Sequence, residues 1–209
     1  MSREREVVRA GYDAIAERYR AWSSAGWPTT EWVRKLLDLL AEPSVVLEVG
    51  CGNGIPAGRL IAERHDYTGV DISSAQLDLA RTAVPTGRFV QADYTQFDPG
   101  RPIDALVAIL TLTHIPRNEH AALLERFASL LRPGGFLLAT FGSGDLEDSF
   151  EDDWLGAPMF FSHFDADTNR RLVREAGFKL LEHEVVPMFE EGHGEVRFLW
   201  VIAQLGSRA

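Results

Sequence analysis

Val45-Val46-Leu47-Glu48-Val49-Gly50-Cys51-Gly52-Asn53-Gly54 decides how this chain is read. Apolar residues around a single acid read as a buried strand. Glycine then takes every second position of a turn into a helix near 56 to 64. Glycine permits positive φ and lets a ligand approach the main chain closely. An acid inside a strand calls for a cationic or hydrogen-bond-donating partner, so Glu48 predicts one nearby. Gly52-x-Gly54-x-x-Ala57 satisfies the relaxed dinucleotide fingerprint, yet such turns also occur in sheet proteins that bind no nucleotide.

Outward from this turn the same alternation continues. Residues 67 to 71, 89 to 92, 103 to 110 and 136 to 140 read as the second to fifth strands. Ser73 caps the helix after the second strand, with Gln76 completing a capping box. Asn118 caps another, with Leu123, Leu124, Phe127, Leu130 and Leu131 facing inward, and Pro133-Gly134-Gly135 stops it. Upstream, Val8, Tyr12, Ile15 and Tyr19 form one stripe of a helix over residues 3 to 20. Thr30 caps a second helix with Val33, Leu36, Leu37 and Leu40 inward, ended by Pro43. Residues 145 to 153 hold six acids in nine positions and predict an exposed loop, followed by an irregular MFFSHF segment. Asp165 caps a helix to about residue 176, which Gly177 ends. Residues 179 to 186 and 195 to 203 then predict a closing antiparallel hairpin. Strands alternating with helices predict an α/β fold, a mostly parallel sheet with helices on both faces.

Composition narrows the partners. The chain has 209 residues, 45% hydrophobic and 25% charged, which suits one large core. Lys and Arg total 21 against 31 Asp and Glu, a net charge of −10 that disfavours nucleic acid and anionic membrane surfaces. The lone Cys51 forms no intrachain disulfide, and MSREREVVRAGYDA has no apolar leader. The most apolar run, 105 to 113, is about half the ~20 residues of a membrane helix. A soluble, cytoplasmic protein is expected.

Two further acids join Glu48 at the strand ends. Asp71 closes the second strand, 19 residues beyond Gly52, where a carboxylate accepts both hydroxyls of a ribose or simply caps the following helix. Asp93 closes the third, where it can accept an exocyclic adenine amine. Three successive strands thus carry carboxylates at the edge where open parallel sheets bind ligands. Nicotinamide and adenosyl ligands both suit that pattern.

With VLEVGCGNG, GVDIS, QADYTQFD, DALVAILTLTHIP and LLRPGGFLLATF in order over roughly residues 44 to 141, the chain resembles the class I S-adenosylmethionine-dependent methyltransferases. YDAIAERY resembles the cap helix of their small-molecule branch. The resemblance implies a Rossmann-like, doubly wound seven-stranded sheet, mostly parallel with an antiparallel last strand. It also implies S-adenosylmethionine as cofactor in preference to a nicotinamide. Gly50, Gly52 and Gly54 would line its methionine part, with Leu110 beside them and Glu48 supporting the ammonium. Asp71 would hold the ribose and Asp93 the adenine amine, with Ile72, Ala92 and Tyr94 alongside. Tyr12 and Tyr19 would close over the cofactor. One methyltransferase domain over 1–209 follows, with cap helices at 1–42, the cofactor core at 43–141, and a substrate lid and closing hairpin at 142–209.

Methyl transfer from a sulfonium rests on proximity and alignment, and a hydroxyl or amine acceptor also needs a base. Histidine suits that task, so His114, His163 and His193 are the candidates. His163 lies in the expected lid and His193 in the turn of the closing hairpin, beside Glu190 and Glu191. His114 reads equally well as a residue packed under the Pro116 turn. His163, His193 and a glutamate are the one set that could hold a metal, but no tight HExxH-like spacing occurs, and no metal is expected. His65, His120 and His183 read as surface or edge residues. Trp22, Trp27, Trp154, Phe160, Phe161 and Phe164 flank the regular sheet; core packing is the default reading of such aromatics, and their clustering suggests a ring-binding pocket, with Trp22, Trp154, Phe160 and Glu190 as substrate contacts. The expected function is methyl transfer to O or N of a small molecule. The alternatives are methylation of a protein or tRNA, the latter disfavoured by charge, and a cofactor-binding regulatory or scaffold protein without turnover.

Overall fold

The computed structural model describes residues 1–23, 27–190 and 194–206, without the Glu190 side chain. Nine strands and six helices are present among them: α1 Arg3–Ser23, α2 Thr29–Leu37, β1 Val45–Val49, α3 Ala57–Ala62, β2 Asp66–Asp71, α4 Ser74–Ala83, β3 Arg88–Gln91, β4 Ile103–Ala108, α5 His120–Leu130, β5 Leu131–Gly142, β6 Leu146–Trp154, β7 Ala157–His163, α6 Ala166–Glu175, β8 Phe178–Glu190 and β9 Gly194–Leu205. Seven strands form one sheet in the order β3-β2-β1-β4-β5-β9-β8. β1 to β5 run parallel, and β9 is antiparallel to both β5 and β8.

β4 shows why this sheet reads as continuous apolar runs. Ile103, Leu106 and Ala108 join a core that includes Leu123, Phe127 and Val173 from α5 and α6. Ala105 and Val107 face the opposite core, built with Trp32, Val33 and Leu36 of α2 and Ile61 of α3. A strand covered on both faces has no solvent side for polar residues. Trp32 and Trp200 stack at 5.6 Å in that second core, which ties α2 to β9. From β1 the chain winds outward through β2 and β3, then returns to place β4 on the other side of β1. The crevice of an open parallel sheet lies at this reversal, outside the strand C-termini.

A third apolar cluster joins α1 to the β6–β7 hairpin through Val8, Ile15, Trp154, Met159 and Phe160. Residues 145–153 are therefore mostly strand and not a free loop. The acids of β6 stay exposed, but its main chain pairs with β7, whose Met159 and Phe160 are buried. MFFSHF likewise lies on β7 and the residue after it. Three caps also differ from expectation. α2 starts behind Pro28 and α5 behind Glu119, neither with a side-chain cap, and a short 3-10 turn at Arg117–Glu119 occupies the place expected for Asn118 capping. α2 ends at Leu37, several residues short of Pro43. Ser73 does cap α4, its Oγ accepting from Gln76 N at 3.2 Å. The reciprocal bond of the capping box is missing, because Ser73 N donates to Asp71 Oδ1 at 2.9 Å.

Candidate functional site

The turn after β1 is shaped by what lies against it. Gly50, Gly52 and Gly54 all have positive φ, at 63°, 50° and 75°. A Cβ on Gly50 would stand 2.1 Å from Thr111 Oγ1, so the turn fits against the segment after β4 only with glycine there. Gly52 instead faces open space, with Gln76 Oε1 the nearest atom to its Cβ position at 3.7 Å. Across the crevice Leu110 holds φ 52°, a conformation costly for a branched side chain, and its N–H donates to Thr140 Oγ1 at 2.6 Å.

Two narrow cavities of about 60 Å³ each flank this turn. One is lined by Arg5, Tyr12, Tyr19, Gly50, Gly52, Asp71, Ile72, Gln76, Asp93, Tyr94, Leu110 and His114 among others, and α1 forms its outer wall. The other reaches Glu48 beside Gly50, Gly52 and Leu110. Gly54 and Ala92 line neither. Gly54 packs against Ala80 and Val84, and Ala92 against the core, its N–H spent on Asp71 O at 3.0 Å.

The carboxylates differ in their circumstances. Glu48 is buried, and the donor that its position demanded is Tyr67 Oη on β2, at 2.6 Å. Burial pushes its carboxyl up to about 8 despite that bond. Asp71 Oδ2 accepts from Gly52 N at 2.8 Å and Oδ1 from Ser73 N, so the acid braces the glycine turn and opens α4 at once. Burial raises it to about 6. Asp93 Oδ1 accepts from Thr95 N at 3.0 Å, while Oδ2 pairs with Arg5 Nε at 3.2 Å. Arg5 also binds Glu119. Asp13, likewise from α1, accepts from Ser73 Oγ at 2.7 Å and Ala75 N at 3.2 Å. The N-terminal helix is thus pinned to the ends of β2 and β3. Gln76 carries a further signal, for both its amide atoms are buried without a hydrogen-bond partner in the cavity wall. Arg5, Asp13, Tyr67 and Thr111 leave no signal in the sequence, since each acts through a partner distant in the chain, and Gln76 reads there only as a member of a capping box.

Beyond Leu110 a larger cavity of about 360 Å³ opens under the β6–β7 hairpin. Tyr12, Tyr19, Leu110 and His114 line both it and the cofactor-side cavity. Trp22, Trp27, Trp154, Phe161 and Phe198 supply most of its remaining apolar wall. Phe160 does not reach it. Successive residues of β7 face opposite sides, so Phe161 and His163 point into the cavity while Phe160 is fully buried in the α1–hairpin cluster. That alternation was legible as a period of two, but only once the segment is a strand.

The histidines separate by their hydrogen bonds. His114 is buried, its Nδ1 donating to Phe160 O at 2.8 Å and its Nε2 accepting from Tyr12 Oη at 2.8 Å. Burial lowers it to about 4, so it is a neutral bracket holding Tyr12. His163 Nδ1 donates to Gly144 O at 2.7 Å, which fixes the tautomer and makes Nε2 an acceptor at the cavity wall. Its ring lies so close to the end of β5 that a Cβ on Gly142 would meet it at 2.1 Å. His193 and Glu191 fall outside the described residues, as does the Glu190 side chain. His65 and His120 are buried, contrary to their reading as surface residues, because Ser44 N donates to one and the other donates to Ile115 O. No metal-binding cluster occurs among the described residues.

A crevice at the strand-order reversal, a glycine turn under it and carboxylates at successive strand ends define a Rossmann-like nucleotide-type binding fold. A family described as methyltransferase domain matches residues 16–183, and the chain belongs to it. Trans-aconitate 2-methyltransferase of Enterobacter sp. is 39% identical over 114 residues, 51% of this chain and 44% of that protein. The tRNA (carboxymethyluridine(34)-5-O)-methyltransferase of Arabidopsis thaliana is 31% identical over 173 residues, 75% of this chain and 41% of that protein. The chain spans less than half the length of these curated relatives. In fold it is similar to the magnesium protoporphyrin IX methyltransferase of Synechocystis PCC 6803, solved with bound SAH, at a TM-score of 0.76 and 18% identity over 97% of this chain and 100% of that one.

Proposed function

We propose that this chain is an S-adenosylmethionine-dependent methyltransferase acting on an oxygen or nitrogen of a small molecule. The observation that carries the reading is the wall shared by the two cavities, where Tyr12, Tyr19, Leu110 and His114 separate the glycine-turn side from the aromatic side. A transfer in line requires two ligands to meet at one boundary, and four residues lining both cavities put the two sites side by side there.

The residues present fit the cofactor. Gly52 leaves room at its Cβ position, and among the described residues the Gln76 amide lacks a partner and buried Glu48 has one neutral donor and no cation. Glu48 would hold the ammonium, Asp71 and Gln76 the ribose side, and Asp93 with Arg5 the adenine end, with Ile72 and Tyr94 as wall. Bound there, S-adenosylmethionine would supply a methyl on a positive sulfur that keeps the carbon–sulfur electron pair when an acceptor lone pair takes the methyl. The protein's share is alignment, exclusion of water by α1 and the hairpin, and removal of the acceptor proton. His163 Nε2 takes that proton, while Nδ1 keeps its hydrogen on Gly144 O. His114 acts as a positioning residue for Tyr12.

Residues 1–42, 43–141 and 142–209 serve as cap, cofactor core and lid of one domain in this reading. Among the described residues no helix is long and apolar enough to cross a membrane. The single cysteine suits a cytoplasmic setting, and the net charge of −10 suits a small-molecule acceptor over a polyanion. Calorimetric titration with S-adenosylhomocysteine, with NAD as control, tests the reading. One-to-one binding of the first and none of the second is expected, and absence of S-adenosylhomocysteine binding refutes it.

A further inference from the structure

We infer that the acceptor this site takes is a planar aromatic compound held by ring contacts, and that polycarboxylates are excluded. The inference rests on the methyltransferase reading above and adds the substrate class to it.

Two features of the larger cavity carry it. Its walls are rings: Trp22 stands edge to face with Trp27 at 5.0 Å and with Trp154 at 5.6 Å, at 88° and 83° between planes. Tyr19 lies 5.8 Å from Trp22 and 6.0 Å from Trp154, and Phe161 is 5.5 Å from Trp154. These rings pack on one another as a continuous wall and not as an open cage around a point charge. A flat ring gains most from such faces and edges. A cavity of about 360 Å³ also lies within the usual range for small-ligand sites.

The second feature is charge. Carboxylates are held by arginine or lysine, and burying an unpaired one costs several kcal/mol. Among the described lining residues the cation is Arg197, and Glu195 Oε1 already accepts from its Nε at 2.9 Å and pairs with its Nη2 at 2.8 Å. Glu151 adds a negative charge to the same wall. Of the three segments outside the described residues, 24–26 and 191–193 contain neither arginine nor lysine, and 207–209 contains Arg208. A tricarboxylate such as trans-aconitate, for which a relative is named, meets among the described lining residues one arginine already paired with Glu195, and the opposing charge of Glu151. His163 Nε2 supplies a polar handle for a ring hydroxyl or ring N–H.

Protein saturated with S-adenosylhomocysteine is titrated by calorimetry with 1-naphthol, trans-aconitate and tetramethylammonium chloride. Naphthol is expected to bind saturably and at least about tenfold tighter than either ion, and Trp22→Ala to weaken it about tenfold while S-adenosylhomocysteine binding holds within about twofold. Glu151→Arg, at an exposed strand position, is expected to tighten trans-aconitate about tenfold, a test that does not depend on the aromatic wall. Binding of either ion as tightly as naphthol, or naphthol binding indifferent to Trp22→Ala, overturns the substrate class while leaving the methyltransferase reading in place. Failure to bind S-adenosylhomocysteine overturns the methyltransferase reading itself, and the substrate class with it.

Discussion

Glu48 makes cofactor binding depend on pH in a way that can be worked out beforehand. Its carboxyl is held at about 8 by burial, against an ordinary 4.5. Facing it are the neutral Tyr67 hydroxyl at 2.6 Å, the buried Cys51 thiol and the Asp71 carboxylate, and, among the described residues, no cation. Below pH 8 the free protein therefore keeps a proton there, which must leave if the carboxylate is to hold an ammonium. Between pH 7 and pH 6 the ligand ammonium stays charged, so each unit of acidity costs about 1.4 kcal/mol, or tenfold in Kd. Asp71, at about 6, is half protonated at the lower end and adds roughly a factor of two. S-adenosylhomocysteine should thus bind about 10- to 20-fold more weakly at pH 6 than at pH 7, and calorimetry in buffers of different ionisation heat should register about one proton released. Glu48→Gln keeps the Tyr67 bond but has no proton to lose. It should bind more weakly overall and vary only about twofold across the same window. A flat wild-type profile, or an equally steep one in Glu48→Gln, would refute the reasoning.

The same group governs stability near neutrality. Its folded value lies above its unfolded one, so its contribution is complete below pH 4.5 and is lost as pH rises through 8. His114, lowered to about 4, opposes this only weakly above pH 7. Moving from pH 8 to pH 7 should add about 1 kcal/mol and roughly 2–4 °C to the melting temperature, and the gain should vanish in Glu48→Gln. Asp71→Ala removes two charge-assisted acceptors, and S-adenosylhomocysteine affinity should fall about 100-fold; wild-type affinity would sink the ribose assignment. His163→Ala should lower turnover about 10²- to 10⁴-fold with S-adenosylhomocysteine binding kept, and normal turnover would remove it as the base. Phe160→Ala should cost about 3–5 kcal/mol of unfolding free energy, whereas Phe161→Ala should cost far less and weaken acceptor binding instead. Equal losses in urea denaturation would contradict the facing of β7.

The sequence by itself determined the elements built from near neighbours. The apolar runs of β1, β2 and β4, the glycine turn after β1, the Ser73 and Asp165 caps and the closing hairpin all rest on spacings within a few residues, which local patterning preserves. Asp71 and Asp93 were visible for the same reason, since a strand end followed by a helix start is a local event. What only the tertiary structure decided are meetings across long stretches of chain. Tyr67 satisfies Glu48, Arg5 neutralises Asp93, Asp13 caps α4 from another helix, and His114, readable either as a base or as a packed residue, bonds to Tyr12 and to Phe160 O. None of these leaves a trace in spacing, because the partner is selected by the strand order around β1 and β4 and by α1 folding back over it. The acidic run misled for a related reason. Its charges describe the exposed face of β6, while its structure is decided by Met159 and Phe160 on the partner strand and by α1 beneath them. Phe160 and Phe161 are chemically identical neighbours, and only the pleat of β7 against α1 assigns one to the core and the other to the cavity.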